Sequence, residues 1–133
     1  PFNKKLVGHS DADVGLHAIT DAIYGSIGSE DIGSHFNPAD DKWRGVDSKK
    51  FLDHSLMKLK EFGGKILNID LVVIAEEPNI NAYREAIKGN LSDLLKIDVS
   101  SIGLKATTTE KLGFTGRKEG IAVQTIVNVS VKK

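Results

Sequence analysis

The apolar positions of the chain change period as it runs, and those changes mark out its elements. From Asp11 to Ile27, Leu16, Ile19, Ile23 and Ile27 recur at spacings of three, four and four, the stripe of an amphipathic helix, with Asp11 and Asp13 near its positive end. Gly28 to Val46, GSEDIGSHFNPADDKWRGV, has no period and scatters Gly, Pro and Asp, so it reads as a long polar loop of the kind that carries function. A second helix is predicted over Asp47 to Phe62, with Phe51, Leu52, Leu56 and Leu59 apolar and Gly63 and Gly64 closing it. Ile66 to Ala75, ILNIDLVVIA, is rich in β-branched residues and almost continuously apolar, the pattern of a strand placed centrally in its sheet. Asn79 to Leu95 reads as a third helix despite Gly89, and Ser101 to Ala106 as a strand. Gly120 to Val131 alternates, with Ile121, Val123, Val127, Val129 and Val131 on one side, so this last strand is half exposed or faces a neighbouring subunit. There is no internal repeat. The order α, α, β, α, β, β implies an α+β layer fold, with helices on one face of a small mixed sheet.

Composition narrows the classes. The 133 residues match one domain, 1–133, long enough to bury roughly two thirds of the surface of the unfolded chain. The absence of cysteine excludes disulfides and thiolate zinc sites, so any metal must sit on His, Asp or Glu. Eighteen basic against eighteen acidic residues leave no net charge, which removes the electrostatic footprint of backbone-driven nucleic-acid binding but allows a local anion site. No apolar run approaches the ~20 residues of a membrane span, and no signal-peptide pattern opens the chain. The expectation is a soluble, cytoplasmic protein with neither nucleic acid nor membrane as partner. PFNKKLVGHSDAD carries no initiator Met and starts in the middle of a loop, so the natural beginning is expected upstream.

Four segments carry candidate chemistry, each with two readings. Asp13, His17 and Asp21 stack at i, i+4 and i+8 on the first helix, with His9 and Ser10 just before. Either His17 is a metal ligand with a carboxylate one turn away ligating or orienting it, or this is a solvated polar face, since one helix supplies too few zinc ligands. In EDIGSHF, Asp31 and Gly33 lie beside His35 and Phe36; the acid accepts from a substrate hydroxyl while glycine lets the ligand near the backbone, or the pair is ordinary turn chemistry. In KATTTEKLGFTG, Thr107 to Thr109 leave a strand before a Gly-rich turn, where hydroxyls and amides converge on phosphate oxygens and Glu110 can hold a bridging divalent cation. The alternative is that threonines suit strands and Thr109 with Glu110 begins a short helical turn, TEKLG. Arg117 is a planar anion binder if it points inward, and otherwise solvated. AEEPNINAY, Ala75 to Tyr83, leaves the central strand where α/β sheets place ligands, and offers free backbone groups to a nucleobase edge or is a plain strand-to-helix connection.

Together, GHSDADVGLHAITDA, DIGSHF, IAEEP and KATTTEKLGFTGRKEGIA resemble the 2-C-methyl-D-erythritol 2,4-cyclodiphosphate synthase family, in its order and separations, across nearly the whole chain. The resemblance implies an α+β homotrimer with active sites between subunits and sheets lining a central channel. It implies conversion of 4-diphosphocytidyl-2-C-methyl-D-erythritol 2-phosphate to the cyclic diphosphate and CMP, by in-line attack of the substrate's own 2-phosphate on its β-phosphorus. In that frame His17 is a zinc ligand, His9 and Ser10 contact the substrate near its phosphates, and His9 and Thr108 stabilise the transition state. Asp31, Ile32 and Gly33 bind the methylerythritol portion, and Phe36, Asn37, Pro38, Ala39 and Asp40 line the same lid. Ala75, Glu76, Glu77, Pro78, Asn79, Ile80 and Asn81 form a cytidine pocket, largely through backbone. Thr107, Thr108 and Thr109 meet the phosphates, and Glu110 holds magnesium or manganese between the α- and β-phosphates. Phe114 and Arg117 lie near the substrate and the channel, a place for an isoprenoid diphosphate.

The sequence departs from the family pattern in three places. The family's N-terminal strand, whose Asp-x-His pair supplies the other two zinc ligands, is expected upstream of Pro1. FNPADD stands where the family more often has Phe-Pro-x-x-Asp, which changes the shape of the lid, and Asn79 stands where a lysine is common, which removes a positive charge near the nucleotide, so weaker nucleotide binding is expected. A reading from another class is a non-catalytic trimeric module that binds a nucleotide or isoprenoid diphosphate with an incomplete zinc site. A zinc phosphohydrolase would need a positioned water and a base that the sequence does not offer.

Overall fold

The structure, a computed structural model, describes residues 9–36, 47–76 and 80–132, with the side chains of 9–13 outside the description. Its helices are α1 (His9–Ser26), α2 (Ile32–His35), α3 (Ser48–Glu61), α4 (Arg84–Leu95) and α5 (Gly113–Gly116), and its strands β1 (Gly64–Ile74), β2 (Ile102–Thr107) and β3 (Ala122–Val131). The strands form one mixed sheet in the order β2-β1-β3, with β1 parallel to β2 and antiparallel to β3. The apolar run over 66–75 therefore occupies the centre of the sheet, as its composition predicts.

Pairing sorts the side chains by face. Ile69, Leu71 and Val73 lie level with Ile102 and Leu104 on one side and with Val127, Thr125 and Val123 on the other. This face meets Ile19 and Ile23 of α1, Leu52 and Leu59 of α3, and Leu91 and Leu95 of α4 to make the core. Each fully buried Ile or Leu there contributes roughly 1.5–3 kcal/mol. The other face carries an Asn128–Asn68 side-chain bond of 2.8 Å, an ion pair between Lys105 and Asp70, and Ile126, which is 62% exposed. The three long helices, α1, α3 and α4, all contribute to the first face. This is the small α+β layer arrangement expected from the sequence.

Most element ends move by one or two residues, α1 for example running His9–Ser26 in place of Asp11 to Ile27, and three differences have a local cause. The loop from Gly28 is not uniformly irregular: Asp31 caps α2, accepting from the Ser34 amide at 3.1 Å, and Asp21 of α1 accepts from the Ile32 amide at 2.9 Å. Four residues are too few to show a period, so this helix rests on its caps. The third helix does not run unbroken to Leu95: Ile80–Ala82 form a 3-10 turn and α4 begins at Arg84, while Asn79 lies outside the described residues. Ile80 is driven into the core and breaks the helical path. The central strand begins earlier, at Gly64, because Gly64 and Lys65 pair with Val131 and Ser130 directly after the left-handed Gly63 (φ 83°) closes α3.

Candidate active site

Because β1 and β2 are parallel, their C-terminal ends emerge side by side, and their loops are joined at the root. The Ala75 amide donates to the Thr107 carbonyl at 3.0 Å, and the Thr109 amide donates to the Glu76 carboxylate at 3.2 Å. The three threonines then divide the work. Thr109 Oγ1 lies 2.9 Å from Oγ1 of Thr115, which is buried, so this hydroxyl pins α5 against the strand end. Thr107 and Thr108 are exposed, and Thr108 Oγ1 accepts from the Glu110 amide at 3.1 Å.

Glu110 and Lys111 are both left-handed, with φ of 54° and 68°. Such a conformation costs a non-glycine residue roughly 1–2 kcal/mol, and it persists here because the Leu112 amide closes the turn on the Thr109 carbonyl at 3.1 Å. A β-carbon built on Gly116 falls 2.1 Å from the carbonyl carbon of Lys111, so only glycine lets α5 approach this turn. The helical turn suggested for TEKLG is therefore a left-handed turn, and the helix comes later, at Gly113–Gly116. The Glu110 side chain is exposed, with no ion pair among the described residues. Arg117 does not point inward: it pairs with Glu119 at 3.0 Å, and both are more than half exposed. Phe114 is 51% exposed.

A second group of candidates is built on the helices. His17 Nε2 lies 3.1 Å from Ser48 Oγ, the first residue of α3, and the His17 ring meets Phe51 edge-on with centroids 6.1 Å apart. Asp21 makes no bond to the His17 ring among the described residues, its Oδ1 taking the Ile32 amide at 2.9 Å; the side chain of Asp13 is outside the described residues. Asp31 does act in turn chemistry: its Oδ1 takes both the amide and the hydroxyl of Ser34, leaving Oδ2 toward solvent without a partner among the described residues. Ile32 and Gly33 follow in α2, and Phe36 packs between Phe51, at a centroid distance of 4.8 Å, and His54, at 4.9 Å. Beneath them, the Tyr24 hydroxyl lies 2.6 Å from His54 Nδ1, and the Tyr24 ring stacks on His35 at 4.3 Å.

No three His, Cys, Asp or Glu side chains converge on a metal among the described residues. His17 is exposed and its Nδ1 has no partner among them, so the ring fits a single ligand position. The side chains of His9 and Ser10, and residues Asn37, Pro38, Ala39, Asp40, Glu77, Pro78 and Asn79, lie outside the described residues. Of the proposed nucleotide loop, Ala75 and Ile80 are buried, Ile80 lining an apolar cavity of about 580 Å³ between α1, α4 and the sheet, whereas Asn81 is exposed. Sequence reasoning missed Ser48, Thr115 and His54. Ser48 and His54 work through partners 31 and 30 residues away, and Thr115 through Thr109 across the intervening left-handed turn; only the Asp47 cap before Ser48 left any local signal.

Compared with known proteins, residues 1–130 match the YgbB family. A structure of 2C-methyl-D-erythritol-2,4-cyclodiphosphate synthase superposes with a TM-score of 0.81 at 34% identity, covering 93% of this chain and 80% of that one. The chain belongs to the YgbB family, that of the cyclodiphosphate synthases. Another structural relative, the Plasmodium falciparum IspF CDP complex, matches with a TM-score of 0.81 at 36% identity, over 95% of this chain and 76% of that one. The bifunctional enzyme IspD/IspF of Gluconobacter oxydans is 51% identical over 131 residues, 98% of this chain but 34% of the relative. The chain thus spans about a third of the length of the curated relatives it matches. For a YgbB-family chain the four quoted segments fall into the two groups described above: the helical one around His17 and Asp31, and the strand-end one around Glu76 and Thr107 to Glu110.

Proposed function

We infer that the chain forms cyclic 2-C-methyl-D-erythritol 2,4-diphosphate from its cytidylylated, 2-phosphorylated precursor, releasing CMP. The observation that carries this reading is the turn after β2. Two exposed threonine hydroxyls and an exposed carboxylate stand on a strained, tightly closed turn, tied to the loop that would hold the nucleotide. Family membership and the CDP-bound relative support a cytidine nucleotide as the ligand.

The reaction needs no outside nucleophile. The substrate's 2-phosphate oxygen forms a bond to the β-phosphorus as the bond from that phosphorus to the CMP oxygen breaks, and the leaving group departs as CMP. What remains for the protein is alignment and charge compensation, the main contributions in phosphoryl transfer. The hydroxyls of Thr107 and Thr108 donate to phosphate oxygens, and Asp31 accepts from a hydroxyl of the methylerythritol portion through its unengaged Oδ2. The backbone after Ala75 receives the base. Zinc at His17, with further ligands from outside the described residues, and magnesium or manganese at Glu110 supply positive charge to the diphosphate. His9, with Ser10 beside it, joins Thr108 around the reacting phosphates.

The helical and strand-end groups act on one substrate across neighbouring subunits of a trimer. Support comes from the sheet face opposite the core, with Ile126 and Leu67 exposed on β3 and β1. Phe114 and Arg117 are assigned to the channel of that trimer, with an isoprenoid diphosphate as its ligand, for which Arg117 exchanges its exposed pairing with Glu119. The test is phosphorus NMR of the substrate mixed with the full natural protein, zinc and magnesium. The expected product is a cyclic diphosphate appearing in step with CMP; a linear bisphosphate with CMP would show that water, and not the 2-phosphate, attacks.

A further inference from the structure

Ser48 opens α3 and is held there by Asp47, whose carboxylate accepts from the Lys49 amide at 2.9 Å. Its side chain is buried, the residue being 4% exposed, and its hydroxyl reaches across to α1, 3.1 Å from Nε2 of His17. Phe51, one turn further along α3, meets the same imidazole edge-on. Two side chains from one face of α3 therefore fix the ring, one through a nitrogen and one through packing.

A neutral imidazole carries a proton on one nitrogen and a lone pair on the other, and a metal takes the lone pair. A hydroxyl both donates and accepts, so Ser48 can follow either tautomer, but it engages only Nε2. We propose that Ser48 is a positioning residue for metal binding, accepting from Nε2–H of His17 so that Nδ1, which no described residue engages, is the nitrogen presented to zinc. The inference rests on the reading of His17 as a zinc ligand and adds which nitrogen serves and what holds it. Hydrogen bonds of this kind to a ligating histidine set its tautomer and orientation, and their loss typically weakens metal binding 10- to 100-fold, roughly.

The experiment uses the full natural protein with 15N-labelled histidine and zinc as the probe. Long-range proton–nitrogen spectra of the zinc-loaded protein should show the metal on Nδ1 of His17 and the proton on Nε2. Ser48→Ala should raise the zinc Kd about tenfold or more, and Ser48→Thr, which restores the hydroxyl, should bring it back. A merely structural serine would change the melting temperature and leave both readouts alone. Zinc on Nε2 in the unmutated protein overturns the proposal, whether or not the variants fold, as does Ser48→Ala binding zinc at full strength. Full zinc binding by His17→Ala would instead remove the ligand reading on which the proposal rests.

Discussion

The Thr109 amide donates to the carboxylate of Glu76 across 3.2 Å, so the chain leaving β1 and the chain leaving β2 are bonded to each other just past the strand ends. Parallel pairing of β1 and β2 puts these loops at the same end of the sheet, and this bond holds the proposed nucleotide side in register with the phosphate side. A hydrogen bond to a charged acceptor contributes roughly 1.5–3 kcal/mol. Glu76→Ala is therefore expected to weaken CDP binding about tenfold or more by calorimetry, with Glu76→Gln recovering part of it. Unchanged binding in Glu76→Ala would separate the two loops functionally.

Glu110 combines an unfavourable backbone with an exposed side chain, which makes its replacement informative. Glycine tolerates φ of 54° without the cost a side chain incurs. Glu110→Gly should keep or raise the melting temperature while abolishing the enhancement of CDP binding by magnesium. A variant that loses stability and binding together would show the carboxylate to be structural.

Burial lowers the His54 imidazole below its ordinary 6.5, with His35 and Lys58 adding to the effect. Burial also raises the Tyr24 phenol from 10.0 to about 12, with Asp21 adding to it. On the acid side the unfolded chain takes up the His54 proton first, so this contribution to stability is complete above pH 6.5 and drains as pH falls from 6.5 toward the lower native value. On the alkaline side the unfolded phenol ionises first, so its contribution is complete below pH 10.0 and is lost as pH rises toward about 12. Melting temperature against pH should show a plateau with both limbs. His54→Gln should flatten the acid limb, and Tyr24→Phe the alkaline one, the latter at a cost of about 1 kcal/mol for the lost bond. An acid limb that survives His54→Gln belongs to other groups.

Gly116→Ala tests the tight turn after β2. Its methyl would sit 2.1 Å from a backbone carbon of Lys111, and backbone cannot step aside as a side-chain end can. The expected loss is about 2 kcal/mol, within the range of overpacking, seen as a lower urea midpoint. A weaker nucleotide affinity should accompany it. Wild-type stability would mean that the turn has room to open.

The sequence made the long elements readable because each keeps one period over many residues: the Leu16, Ile19, Ile23 stripe for α1 and the apolar run through Ile69 to Val73 for β1. It concealed α2, whose four residues depend on carboxylates at Asp21 and Asp31, one of them eleven residues before the amide it caps. Ile80 carried the apolar pattern into what is a 3-10 turn, making one helix of two pieces. Of the candidate site, the threonine–glutamate run and its place at a strand end were legible. The separation of Thr109 from its neighbours was not, because it is made by Thr115, nor was Ser48, whose partner lies 31 residues away.

His17 of one subunit and Glu110 of its neighbour are proposed to serve the same substrate, and one experiment tests this directly. Two variants, His17→Ala and Glu110→Ala, should each be inactive when pure. Unfolded together in equal amounts and refolded, they should regain about a quarter of wild-type activity, since random mixing in a cyclic trimer leaves that share of sites with both residues intact. Mixtures as inactive as the pure variants would contradict the shared site and place both residues within a single chain.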